Sequence, residues 1–180
     1  PLKKALDQVA ETIIFAPDHN WSASGHPKTM HKPLRADPVS LPDGSPGFSS
    51  SGAPSDCVAL AFLGVIEREP ELIVSGINLG PNLGYDIFYS GTVAAAVEGV
   101  INGMPAIALS SDSFEPVDYT GPASFAAQLV KYVTQHGLPA VGPRREAVPH
   151  PAGERRRRAG RQHLPLPGDR DLGSQGIPSG

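Results

Sequence analysis

Two short apolar runs, residues 72–74 (LIV) and 106–109 (AIAL), mark the most informative part of the chain. A loop of about sixteen residues rich in Gly, Asn, Asp and Ser follows the first run, and a helix of small residues begins near Gly91. Strand, loop, helix and strand in this order build a parallel sheet. Ligand sites in such sheets lie at the carboxyl ends of the strands, and long loops in compact domains are often functional. The pattern therefore predicts a functional loop at the end of a strand.

Before residue 140 the rest of the chain also alternates between helices and strands, which is typical of the α/β class with right-handed connections. The predicted elements are a helix over 2–10, a strand over 12–16, a polar loop over 18–31 that returns as a strand, a surface excursion over 37–52, a helix over 57–67 with its N-terminus set by Ser55 and Asp56, a loop over 112–122, and a helix over 123–135 closed by Gly137. A helix that leads into a central strand usually has a strand before it, so we expect the first strand of this fold to be missing.

The amino-acid composition limits the classes of protein to which the chain can belong. Apolar residues make 39% and charged residues 18% of the 180 positions, within the range of one globular domain. Cys57 is the only cysteine, which excludes an intrachain disulfide and favours a reducing cytoplasm. No apolar run approaches the roughly 18 residues of a membrane helix, and the opening PLKKALDQVAET is not a secretion signal. The net charge of -3 gives no reason to expect a nucleic-acid or membrane partner.

Charge divides the chain into two unlike pieces at about residue 140. Residues 1–140 hold 14 acidic and 7 basic side chains (net -7), and residues 141–180 hold 4 and 8 (net +4), which together give -3. Pro, Gly and Arg fill 21 of the last 40 positions, so we predict a disordered tail. The four arginines at 155–158 fit a patch for an acidic or nucleic-acid partner. Out-of-frame translation of GC-rich DNA is the interpretation that we favour for the abrupt change.

The first polar cluster, DHNWSASGH over residues 18–26, directly follows the predicted strand TIIFA. Its place at a strand end makes it a candidate site, although Asp, Asn, Ser and Gly are also the ordinary residues of turns. His26 could protonate a leaving alkoxide or contact phosphate, but a loop histidine is more often solvated surface. We interpret His31 as structural within a strand.

The second cluster begins at Ser75-Gly76-Ile77-Asn78 and continues through Gly80, Asn82, Gly84 and Asp86. Its glycines indicate backbone that approaches a ligand closely, and the side-chain carbonyl of Asn78 suits a hard cation such as Mg²⁺ or Mn²⁺. A set of tight turns with Asn in left-handed positions is the plainer interpretation. The spacing is not a dinucleotide fingerprint, because the glycines do not open the helix directly.

The third cluster is Ser90, Gly91 and Thr92 at the start of the predicted helix. Ser90 is a candidate N-cap, which leaves N–H groups of the first turn directed at the loop. That helix end attracts phosphate, although a plain cap is commoner. Metal-binding oxygens and an anion-binding helix end in one connection indicate metal-assisted hydrolysis of a phosphate ester. Cys57 is predicted to pack in the core without a base to activate it, and Asp56 to be a first-turn acid.

Several segments together resemble the survival-protein SurE family, from the first residue to about Ala140. They are Ala16-Pro17-Asp18 with Ser22, Gly25 and His26; Gly52 with Pro54, Asp56 and Cys57; Val74-Ser75-Gly76-Ile77-Asn78; and Tyr89-Ser90-Gly91-Thr92-Val93. The resemblance implies a Rossmann-like three-layer sandwich with a mostly parallel sheet over residues 1–140. It also implies a cytoplasmic phosphoric monoester hydrolase that acts on nucleoside 5′- and 3′-monophosphates with a divalent metal, Mg²⁺ or Mn²⁺.

The same resemblance implies roles for single residues. Ser22 and Asn78 are expected to bind the metal, Ser90, Gly91 and Thr92 to hold the phosphate, and Asn82 to assist. The family also uses a pair of adjacent aspartates, which would lie before Pro1, so we expect metal affinity and turnover to be impaired here. The arms with which the family forms homodimers or tetramers are likewise expected to be missing.

Two other functions stay open. A non-catalytic phosphate- or nucleotide-binding module would keep the helix end at Ser90–Thr92 without metal chemistry. A nucleic-acid-binding protein would act through the arginines at 155–158, provided that the tail is genuine. Nothing in the sequence selects the base, the metal or the oligomeric state.

Overall fold

In the computed structural model three successive strands follow the first helix, and from α2 onward helices alternate with strands in the described residues. The structure describes residues 1–21, 29, 31–115 and 118–138, which belong to one compact unit. The elements are α1 (Leu2–Leu6), β1 (Ile14–Pro17), β2 (Ala36–Ser40), β3 (Pro46–Ser50), α2 (Pro54–Leu60) continued by a π-helical stretch (Ala61–Val65), β4 (Ile73–Asn78), a 3-10 helix (Gly84–Tyr89), α3 (Gly91–Ile101), β5 (Ala106–Ser110) and α4 (Thr120–His136).

Strands β4 and β5 form the parallel pair that the sequence predicts, with α3 as the crossover between them. Ile73 pairs with Ala106 at one end and Asn78 with Ser110 at the other. Helix α3 packs against both strands. A Cβ built on Gly99 would lie 2.7 Å from Cγ1 of Ile73, so only glycine allows helix and strand to approach this closely.

The opposite face of the β4–β5 pair carries α1 and α4. One apolar cluster joins them, made of Leu6, Ile107, Leu109, Ala126, Val130 and Val133. Gly137 ends α4 with a φ of +73°, and its N–H donates to the carbonyl of Val133 at 2.7 Å. Helices thus cover both faces of a parallel pair, and the predicted α/β class with three layers is confirmed.

A second sheet of three strands has the order β1-β3-β2, with β1 parallel and β2 antiparallel to β3. The prediction of a surface excursion over residues 37–52 is therefore wrong. A turn closes the β2–β3 hairpin, where Asp43 accepts from the backbone N–H of Ser45 at 3.0 Å and Gly44 has a φ of +82°. Pro38 argues against a strand in the sequence because proline lacks a backbone N–H. It is tolerated here because β2 is an edge strand.

Several boundaries also differ from the predictions. Helix α2 begins at Pro54 and not at Cys57, because proline suits the first turn and Asp56 caps it from inside. Strand β4 runs through Asn78, four residues beyond the predicted apolar run. His31 lies at an exposed bend and not in a strand, so its structural interpretation is wrong. Within the described ranges, no helix is both long and apolar enough to cross a membrane.

Candidate functional site

The carboxyl ends of β4 and β5 and the first turn of α3 surround the candidate site. Asn78 is the last residue of β4, and its backbone carbonyl accepts from the N–H of Ser111 at 2.9 Å. This bond continues the strand pairing one step beyond β5. The loop after β4 therefore leaves the sheet from a fixed point.

The side chain of Asn78 has one orientation that its hydrogen bonds define. Nδ2 donates to the carbonyl of Gly80 at 2.9 Å and to that of Leu79 at 3.2 Å. Oδ1 then faces the other way and accepts from Oγ1 of Thr92 at 3.4 Å. The amide thus holds its own loop with the nitrogen and presents its oxygen to the start of α3.

Two serines, the last residue of β5 and the residue after it, bind the loop that follows β4. Oγ of Ser111 accepts from the N–H of Gly80 at 2.9 Å, and Oγ of Ser110 accepts from Nδ2 of Asn82 at 2.7 Å. The sequence interpretation did not single out either serine. Their position directly after a predicted parallel strand was the available signal, because the ends of neighbouring parallel strands meet.

Gly76, within the Ser-Gly-Ile-Asn end of β4, lies where this strand passes very close to β5. Its φ is +124°, and a Cβ at this position would lie 2.4 Å from the carbonyl oxygen of Leu109. Any side chain would collide with β5 and displace the end of β4. The glycine therefore fixes how closely Asn78 approaches Ser110.

Ser90 is the N-cap of α3, as predicted. Its Oγ accepts from the N–H of Val93 at 3.3 Å, and its carbonyl accepts from the N–H of Ala94 at 2.9 Å. The first N–H that donates within the helix is that of Ala94, so the helix itself offers no acceptor to the N–H groups of Gly91 and Thr92. No acidic residue lies in the first turn of α3. This end is therefore open to an anion.

In the described part of the first cluster, Trp21 lies near the same helix end. Asp18 follows β1 and donates its backbone N–H to the carbonyl of Ser50 at 2.7 Å. Its Oδ1 lies 2.5 Å from Nδ1 of His19, whose ring is 4.8 Å from the ring of Trp21. The carbonyl of Trp21 would be 3.9 Å from a Cβ on Gly91. Ser22, Gly25 and His26 lie outside the described residues.

Cys57 and Asp56 are adjacent buried residues in the first turn of α2. Cys57 is 2% exposed, and burial, with the Asp56 carboxylate beside it, raises the pKa of the thiol to about 12. A protonated thiol is a poor nucleophile. The carboxylate of Asp56 is 3% exposed and accepts from Oγ1 of Thr29 at 2.7 Å and from the N–H of Ala53 at 3.0 Å. Cys57 is thus buried in the core and Asp56 is an acid in the first turn of α2, as predicted.

A metal ion would find few ligands among these residues. The described part of the chain contains no group of three or more His, Cys, Asp or Glu side chains placed to hold one. Oδ1 of Asn78 is a suitable oxygen ligand for a hard cation, but it carries no charge. The negative charge at such a site usually comes from carboxylate ligands. The described residues alone therefore do not form a metal site.

Known proteins match this chain in sequence and in fold. The family model described as survival protein SurE matches residues 1–156. A 5′-nucleotidase SurE of Chloroflexus aggregans is 48% identical over 144 residues, covering 77% of this chain and 55% of that protein. One of Herpetosiphon aurantiacus is 46% identical over 141 residues, with coverages of 77% and 55%.

A solved structure agrees with these relatives. The SurE protein from Aquifex aeolicus matches with a TM-score of 0.67 and 40% identity over 77% of this chain and 55% of that one. The chain thus spans about half the length of the relatives that it matches.

Proposed function

Because the chain belongs to the survival protein SurE family, we propose that it acts as a divalent-metal-dependent phosphoric monoester hydrolase on nucleoside 5′- and 3′-monophosphates. Its relatives from Chloroflexus aggregans and Herpetosiphon aurantiacus carry the name 5′-nucleotidase. Hydrolysis would release the nucleoside and inorganic phosphate.

The contact between Thr92 and Asn78 carries this proposal. At 3.4 Å it joins the end of β4 to the first turn of α3, so one polar surface combines a carbonyl oxygen with an open helix end. In the proposed complex, phosphate oxygens accept from the N–H groups of Gly91 and Thr92, which the helix dipole favours. The capping bond of Ser90 fixes the position of these N–H groups. The hydrogen bond from Asn82 to Ser110 fixes the loop on the other side of the site.

The chemistry required of these residues is mainly positioning. In phosphoryl transfer, negative charge spreads over the equatorial oxygens while water and the leaving oxygen stand in line. Fixed N–H donors stabilise that charge without reorganising during the reaction. The first turn of α3 is suited to this role because its backbone is set by the Ser90 cap.

The divalent cation of the proposal, Mg²⁺ or Mn²⁺, would bind Asn78 and, by the family resemblance, Ser22. Such an ion would polarise the phosphoryl group and lower the pKa of a bound water. Both residues offer neutral oxygens, so we expect weak cation affinity from them alone.

The test is release of inorganic phosphate from a nucleoside 5′-monophosphate in Mn²⁺ and in EDTA. We expect turnover only with the metal, and a loss of about 10-fold or more in Asn78→Ala and Thr92→Val. Asn102→Ala is the matched control, because Asn102 lies at the other end of α3 and bonds to Glu98 there. Turnover that survives EDTA, or an equal loss in the control, would contradict the proposal.

The second candidate is a phosphate- or nucleotide-binding module without catalysis. Among the described residues, no group of three or more His, Cys, Asp or Glu side chains is placed to hold a metal, which favours it. Calorimetry with inorganic phosphate separates the two functions. Binding that depends on Thr92, without turnover at any metal concentration, would support the module.

A further inference from the structure

Asp18, His19 and Trp21 form an ordered polar and aromatic group at the end of β1. The backbone of Asp18 is tied to β3 by the 2.7 Å bond from its N–H to the carbonyl of Ser50. Its carboxylate lies 2.5 Å from Nδ1 of His19, and the rings of His19 and Trp21 are 4.8 Å apart at 34°. Two contacts therefore set the direction of the imidazole.

The contact with Asp18 decides which nitrogen of His19 is available. A carboxylate can only accept, so Nδ1 is the donor in this pair. Nε2 is then the nitrogen that can meet another molecule, and the side chain of His19 is 57% exposed. An aspartate that orients an imidazole through Nδ1 is a common arrangement in proton transfer.

One member of the group, Trp21, also lies close to the start of α3. The carbonyl of Trp21 would be 3.9 Å from a Cβ on Gly91, and Cγ of Pro54 would be 3.3 Å from it. The chain after β1 therefore forms one wall at the first turn of α3, where the proposed function places the phosphate. In the proposed complex the helix N–H groups hold non-bridging oxygens of the phosphate, which leaves the ester oxygen on the side away from them.

We propose that His19 is the general acid that protonates the leaving oxygen of the nucleoside, an inference that rests on the function proposed above. As the water oxygen bonds to phosphorus, the bond from phosphorus to the ester oxygen breaks and its electron pair stays on that oxygen. The oxygen takes the Nε2 proton of the His19 imidazolium and departs as the nucleoside hydroxyl, which leaves the neutral ring with its Nδ1–H donated to Asp18. The attacking water gives its proton to solvent, from which His19 is reprotonated. Asp18 is the positioning residue.

Leaving-group dependence tests this role. An alkoxide needs a proton to depart, whereas p-nitrophenolate does not, so His19→Gln should slow a nucleoside 5′-monophosphate about 100-fold and p-nitrophenyl phosphate only slightly. Asp18→Asn should show the same selectivity with a smaller loss. His136→Gln is the matched control, since His136 is exposed on α4 and bonds to the carbonyl of Tyr132. Equal slowing of both substrates by His19→Gln would overturn the role.

A binding measurement keeps this test separate from the proposed function. Nuclear magnetic resonance of the 180-residue chain can follow the ring nitrogens of His19 and the backbone amide of Thr92 while adenosine 5′-monophosphate is added. We expect both to shift, and Asp18→Asn to change the His19 ring signals before any ligand is present. A shift at Thr92 without one at His19 would overturn the inference alone. No shift at either would overturn the proposed function and the inference with it.

Discussion

The starts of α2 and α3 differ in how the positive end of the helix dipole is neutralised: α2 has a carboxylate in its first turn and α3 has none. Asp56 sits in the first turn of α2, buried, and its carboxylate accepts from Ala53 and Thr29. The first turn of α3 has no acidic residue and only the neutral cap Ser90. Both ends carry the partial positive charge of a helix N-terminus. The fold places a carboxylate of its own at the start of α2 and none in the first turn of α3.

Removing the carboxylate from α2 should produce the largest effect on stability. Asp56→Ala leaves the N–H of Ala53 and the hydroxyl of Thr29 without their acceptor in a buried corner, so we expect a loss of about 3 kcal/mol in the free energy of unfolding. Urea denaturation measures it. Asp43→Ala is the control, since Asp43 is exposed in the β2–β3 turn, and its loss should be much smaller. Equal losses would mean that burial of Asp56 contributes nothing.

Adding a carboxylate to α3 should convert the open end into a closed one. Thr92→Asp places negative charge beside the N–H groups proposed for phosphate, so affinity for inorganic phosphate should fall about 30-fold, while the helix gains about 0.5 kcal/mol. Calorimetry and thermal unfolding measure the two changes. Asn102→Asp adds the same charge at the opposite end of α3 and should leave phosphate affinity nearly unchanged. Unaltered affinity in Thr92→Asp would place the anion elsewhere.

How much of this contrast is predictable from sequence depends on how local each feature is. Ser90 and Gly137 act within one turn of chain, and their roles as helix N-cap and helix end are visible in the sequence. Gly91 is recognisable as the first helical residue for the same reason. Features that sequence neighbours encode were therefore predicted within a few residues.

Features that depend on strand register and tertiary contact were not predicted from the sequence. The bond between Asn82 and Ser110 joins positions 28 residues apart, and only the pairing of β4 with β5 brings them together. The β2–β3 hairpin was missed because Pro38 and the polar residues of β3 weaken the alternation that marks a strand. The burial of Asp56 depends on Thr29, a residue that no local pattern connects to α2.

The thiol of Cys57 gives a direct readout of the first turn of α2. A helix N-terminus normally lowers a thiol pKa, yet burial, with the Asp56 carboxylate as a further cause, raises that of Cys57 from 9.0 to about 12. The folded state thus disfavours the thiolate, so the resulting stability is fully present below pH 9 and is lost as pH rises from 9 towards 12. Alkaline unfolding of Cys57→Ala should lack this loss. Asp56→Asn should lower the thiol pKa, measured by thiolate absorbance against pH, and an unchanged value would show that burial alone protects the thiol.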